Sequence, residues 1–240
     1  MKLHKLLVIL VIFSVTVASC QKEDLPQLDY RKLGASANDI LSDRTYGSIE
    51  IGISHMPGLR LPDSVLNHIA NYLNTVANKP GGIRFTQTSF SRPVVSPMTL
   101  DQVVTLEKQV RTGFTQGSVL RIHIMVVDAE YQTPNILGIS YWNTSMCVFG
   151  KAIDRFSGRP GLLSRNQLLI TLIEHEMGHL LGLVDQGTPM VIPHKSNNGA
   201  HCTSSSCLMY YIIETSGNPS TPTPVLDANC RNDLRANGGK

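Results

Sequence analysis

The sequence carries little charge, and what it carries is balanced. Of 240 residues 16% are Asp, Glu, Lys or Arg, and 21 basic against 18 acidic side chains leave a formal +3. The body of the chain has no cluster of lysines and arginines, so it lacks the electrostatic footprint that a phosphate backbone needs, and no nucleic-acid partner is expected. It also lacks a comfortable membrane span: the apolar run from Leu6 to Ala18 is too short for one. No internal repeat is visible, and no CxxC pair occurs to suggest a four-cysteine zinc site. What is present, 42% hydrophobic residues over this length, is enough for one sizeable core and one domain.

The N-terminus reads as a processing segment. Lys2 and Lys5 precede the apolar run, giving a signal peptide over residues 1–19. Val17-Ala18-Ser19-Cys20 resembles the lipobox of bacterial lipoproteins, which implies a lipid on Cys20 and attachment to the membrane through it. Gln21-Lys22-Glu23-Asp24 is similar to the short export signal that sends some Gram-negative lipoproteins to the outer face of the outer membrane. Residues 20–47 are polar and mixed, and are expected to be a tether. A single domain is expected over 48–240, with subdomains 48–182 and 183–240.

Periodicity outlines that domain. Ser48 to Ser54, Ile83 to Thr88 and Val119 to Val127 read as strands, the last buried on both faces. His123 within it reads as a packed core histidine. Ile136 to Trp142 and Met146 to Ile153 are two more strand candidates. Pro62-Asp63 opens a helix with Val65, Leu66, Ile69 and Leu73 at helical spacing, and Thr99 with Gln102 forms a capping box before another. After Gly182 the chain is rich in Pro, Gly, Ser and Asn, with a last helix expected between Val225 and Gly238. The order predicts an α/β domain with a mixed twisted sheet, one long helix behind it, and a loop-rich C-terminal part.

That long helix carries the densest chemistry. In LLITLIEHEMGHLLGL, His175 and His179 lie four apart on one helical face, so both imidazoles can reach one metal ion with Glu176 beside them. Ser164 and Gln167 make a capping box at the start, and Gly182 supplies a left-handed stop. HExxH in this setting predicts a zinc site with its own general base.

Four cysteines lie beyond Cys20. An even count in an exported protein favours disulfides, and the short loop between Cys202 and Cys207 suits a local bridge, leaving Cys147 and Cys230 as the other pair; three pairings are open. A metal site on Cys202 and Cys207 is the rival.

HExxH, Gly182 and a later methionine together resemble the metzincin clan of zinc endopeptidases. His201-Cys202-x4-Cys207-Leu208-Met209 is closer still to the archaemetzincins, in which the third histidine directly precedes a Cx4CxM run. The likeness implies Zn²⁺ on His175, His179 and a third ligand, Glu176 as general base to a zinc-activated water, and Met209 as the apolar floor. The third ligand is open: spacing from Gly182 points to Asp185, the resemblance to His201, and His194 lies between them. Tyr211, two residues past Met209, is at the spacing of a metzincin tyrosine that serves as oxyanion support or as a further zinc ligand. The strand from Ile136 to Trp142 resembles the metzincin edge strand that pairs with an extended peptide substrate. The implied molecule is a monomeric metalloendopeptidase. The alternatives are a catalytically silent surface-binding lipoprotein and a zinc hydrolase of a non-peptide amide.

Overall fold

The computed structural model describes residues 27–218 and 220–240. The expected signal peptide and the lipid site at Cys20 lie outside the described residues. Among those described, no helix is long and apolar enough to cross a membrane.

Five strands form one mixed sheet: β1 (Ser48–His55), β2 (Ile83–Ser89), β3 (Val119–Val127), β4 (Gly138–Trp142) and β5 (Ser145–Phe149). Their spatial order is β2-β1-β3-β5-β4; the first four run parallel, and β4 returns antiparallel to β5 as an edge. Register places Ile49 beside Leu120, Ile51 beside Ile122 and Ile53 beside Ile124, so these residues share one face. The opposite face carries Ser54 and His123, whose hydroxyl and Nε2 meet at 3.0 Å. His123 is thus a packed interior histidine.

The helices follow their sequence signals. α1 is Ala37–Leu41, α2 is Asp63–Val76, α3 is Leu100–Val110, α4 is Gly150–Arg155, α5 is Arg165–Leu180 and α6 is Ala228–Ala236. Both expected capping boxes are made, at Thr99/Gln102 and Ser164/Gln167. α2 buries Val65, Leu66, Ile69, Leu73 and Val76, the stripe that its 3.6-residue period defines. α5 is buried almost all round and packs against α2 and β4, which sets the HExxH segment beneath the sheet edge.

Two expectations need correction. Met146 to Ile153 is not one strand: β5 ends at Phe149 and the chain turns directly into α4. Both halves are buried and apolar, so periodicity could not separate them. Residues 28–47 are not a free tether. Asp29 is fully buried, accepting from the Thr115 backbone N–H at 2.7 Å and its hydroxyl at 2.6 Å, and lying 3.3 Å from the buried Arg111 guanidinium. α1 buries Ala37, Ile40 and Leu41. The Lys79 ammonium donates to the carbonyls of Asp39 (2.7 Å), Ser42 and Tyr46 (2.6 Å), closing the C-terminal end of α1. Burial brings that ammonium down to about 8. The segment looks polar because its buried polar groups find partners far away in sequence.

Candidate metal centre

α5 presents His175 and His179 one turn apart, and the loop after it brings His201 to them. The three ring centroids stand 5.0, 5.1 and 5.3 Å apart, and each residue offers a nitrogen within 4.8 Å of the others. In every ring Nδ1 is already engaged with an acceptor: His175 with the Leu208 carbonyl at 2.7 Å, His179 with Gln186 Oε1 at 3.2 Å, and His201 with the Asn198 carbonyl at 2.6 Å. An Nδ1–H committed to an acceptor leaves Nε2 as a bare lone pair, the tautomer that ligates metal. Burial lowers the pKa of all three, most for His179, where the two neighbouring imidazoles add to the effect. They are neutral at pH 7. Three converging imidazole nitrogens fit a divalent, nitrogen-preferring ion such as zinc.

Glu176 sits beside them, and burial pushes its carboxyl up to about 7 against the opposing influence of Ser140 and His201. The Ser140 hydroxyl donates to the Glu176 backbone carbonyl at 2.9 Å, tying β4 to this turn of α5. Behind Gly178, on the same helix, the fully buried Met209 fills the space that a side chain would take: a Cβ there would fall 2.2 Å from its sulfur.

The cluster lies at the wall of an open cavity of about 610 Å³. Its lining is largely apolar, with Ile136, Leu137, Phe156, Leu172 and Ile213; Gln186 and Tyr211 also line it. Residues 138–140 of β4 border the cavity. The outer edge of β4 is met among the described residues by a single bridge, Lys32 to Trp142, so that Gly138 to Ser140 pair with β5 on one side and with no strand on the other.

The other ligand candidates lie elsewhere. Asp185 points outward, its side chain 62% exposed and 3.9 Å from the Lys195 ammonium. His194 is buried against Asp233, Nε2 to Oδ2 at 2.7 Å, with Nδ1 3.4 Å from Cys202 Sγ. Neither joins the three-histidine cluster.

The expected disulfides do not form. Cys147, Cys202, Cys207 and Cys230 are free thiols, and Cys147 lies alone in β5. The other three converge with Asp227, each offering a ligand atom within 4.8 Å of the rest, so Cys202 meets Cys207 in a cluster rather than a bridge. Cys202 Sγ is 3.2 Å from Asp227 Oδ2, and Cys207 Sγ is 3.7 Å from Cys230 Sγ. The Cys230 thiol, then the backbone N–H groups of Asp227 and Met209, hold Cys207 down to about 6 despite burial. A soft, partly ionised thiol set with one carboxylate is competent for zinc. Its signal was present in the sequence as Asp227-x-x-Cys230, where a search for CxxC passes over the aspartate.

No protein-family model matches this sequence, and no curated protein matches it either. A solved structure similar to the chain is that of archaemetzincin from Methanopyrus kandleri, with 13% sequence identity and a TM-score of 0.49 over 80% of this chain and 96% of that one.

Proposed function

We propose that this chain is a zinc-dependent endopeptidase, with His175, His179 and His201 as metal ligands and Glu176 as general base. One observation carries the reading: three imidazoles, each with Nδ1 facing an acceptor, converge beside a buried carboxyl at the wall of an open cavity. Zinc bound there would supply Lewis acidity toward a carbonyl oxygen and toward water.

The chain's own groups do the rest. Glu176, a buried carboxyl bordering the same cavity as the three histidines, is placed to take a proton from the attacking water and return it to the departing amine nitrogen. The unpaired edge of β4 offers backbone groups to an extended peptide, and the apolar wall accepts one of its side chains while excluding water. Tyr211 lines the cavity and is proposed to support the developing oxyanion. Met209 has a packing role under the histidines.

In the same reading the substrates are extracellular or surface proteins, met by a monomer anchored through Cys20 in the outer membrane of a Gram-negative bacterium. The nine residues from Cys20 to the buried Asp29 span at most about 30 Å, so such an anchor would keep the domain close to the bilayer.

The test is zinc content and cleavage of denatured casein for wild type, Glu176→Gln, His201→Ala and Asp185→Ala. Glu176→Gln should retain zinc and lose at least about 100-fold in rate. His201→Ala should lose both, and Asp185→Ala neither. Equal activity of Glu176→Gln and wild type would remove the peptidase mechanism.

A further inference from the structure

The turn between Gly182 and Thr188 is unusual. Val184 and Asp185 are consecutive non-glycine residues in the left-handed region, with φ of 57° and 63°, and Val184 is both β-branched and fully buried. Gly182 precedes them at φ 71° and Gly187 follows at φ 140°. The backbone N–H groups of Gln186 and Thr188 both donate to the Gly182 carbonyl, at 3.1 and 2.9 Å, and the Thr188 hydroxyl donates to the Leu181 carbonyl at 2.6 Å. This backbone turns Asp185 out to solvent and Gln186 in toward His179. The N-terminal segment braces it from behind: a Cβ on Gly34 would fall 1.7 Å from the Gln186 carbonyl oxygen, and one on Gly187 would fall 2.4 Å from the Gly34 carbonyl oxygen. Backbone strain held by so many contacts is a mark of a site where geometry is in demand.

The three rings differ in what fixes them. His175 and His201 donate to main-chain carbonyls, which accept and cannot donate. His179 alone depends on a side chain, and an amide can present either its oxygen or its NH2. With the oxygen toward the ring, His179 is protonated on Nδ1 and offers Nε2; with the NH2 toward it, the proton moves to Nε2 and the ligand is lost.

We propose that Gln186 is a positioning residue for metal binding, which holds His179 in its Nδ1–H tautomer. This rests on the three-histidine reading of the metal centre. The strained turn and its Gly34 brace serve to deliver the Gln186 amide oxygen, and the residue whose sequence spacing suggested a ligand, Asp185, is turned away by the same turn.

The experiment measures zinc affinity by competition with a chromophoric chelator, counting only the zinc equivalent that His175→Ala loses, in wild type, Gln186→Met and Gln186→Glu. Methionine keeps the length and replaces the amide oxygen with a much weaker acceptor; glutamate keeps an oxygen acceptor. Gln186→Met should bind that zinc about 10 to 100-fold more weakly, with Gln186→Glu close to wild type. Long-range ¹H–¹⁵N correlation spectra of metal-free wild type read the His179 tautomer directly and need no variant to fold. A proton on Nδ1 supports the assignment. A proton on Nε2, or a Gln186→Met affinity within threefold of wild type, overturns it while leaving the metal centre standing. If wild type itself has no zinc equivalent sensitive to His175→Ala, the metal-centre reading falls and this one with it.

Discussion

Glu107 shows how much one residue can hold. It is fully buried on α3, accepting from the Arg111 guanidinium at 3.1 Å and the Ser145 hydroxyl at 2.7 Å, with His123 Nδ1 at 3.4 Å. Burial alone would raise its carboxyl, but His123, then Arg111 and Ser145, outweigh burial and hold it at about 2. Burial also holds His123 below its usual range, so near neutral pH the permanent charge of Arg111 is the dependable partner. A carboxyl lower in the folded state than its ordinary 4.5 stabilises the fold fully above 4.5, and that contribution is lost as pH falls toward 2. Glu107→Gln should therefore be less stable at pH 7 by about 3 kcal/mol, with the gap to wild type closing as pH approaches 2. Urea midpoints at pH 7, 4 and 2.5 measure this, and parallel curves would show that Glu107 does not carry the acid sensitivity.

At the scale of an element, α5 has a glycine in its interior that general helix preferences would replace. Gly178 costs an ordinary helix about 0.5–1 kcal/mol relative to alanine. Here the alanine methyl would meet the Met209 sulfur at 2.2 Å, and Met209 is fully buried. Overpacking of about 1–3 kcal/mol outweighs the helix gain. Gly178→Ala should lower the melting temperature and weaken zinc binding at the histidines, and adding Met209→Ala should recover part of the stability because the two sites are in contact. Additive losses would mean the close approach is not what the glycine serves. The loop that follows is coupled to the same turn. Leu208, whose carbonyl orients His175, lies between Cys207 and Met209, and Cys202 adjoins His201. Whatever orders the cysteine cluster therefore also places two of the three histidines.

For the whole molecule, the N-terminal segment is what joins distant parts. Asp29 reaches Arg111 and Thr115, the Asn143 side chain donates to the Leu28 carbonyl at 2.6 Å, and Asn38 donates to the Asn237 carbonyl at 2.7 Å near the other end of the chain. Asp29→Ala would leave the Arg111 guanidinium short of one carboxylate and the Thr115 N–H without its acceptor, at a cost of about 3–5 kcal/mol. Denaturant unfolding should show that loss, and limited proteolysis of the folded variant should cut ahead of Ser42 where wild type resists. Unchanged stability would mean that the segment only rests on the domain.

The sequence by itself determined the parts that local rules govern. A 3.6-residue stripe, two capping boxes and a run of β-branched residues defined α2, α3, α5 and β3, and two histidines four apart had to share a helical face whatever surrounded them. Tertiary structure decided what depends on partners far along the chain. Spacing from Gly182 pointed to Asp185 and the resemblance to His201 as third ligand; two left-handed residues turn Asp185 to solvent, and His201 returns across a loop whose path periodicity does not encode. The cysteine count suggested bridges, while three-dimensional convergence with Asp227 makes a cluster. The supposed tether is part of the core because Asp29 and Lys79 satisfy groups dozens of residues away. Helical and strand periods are properties of neighbours in sequence; a site's ligand set, a buried charge network and a folded-in terminus are properties of neighbours in space.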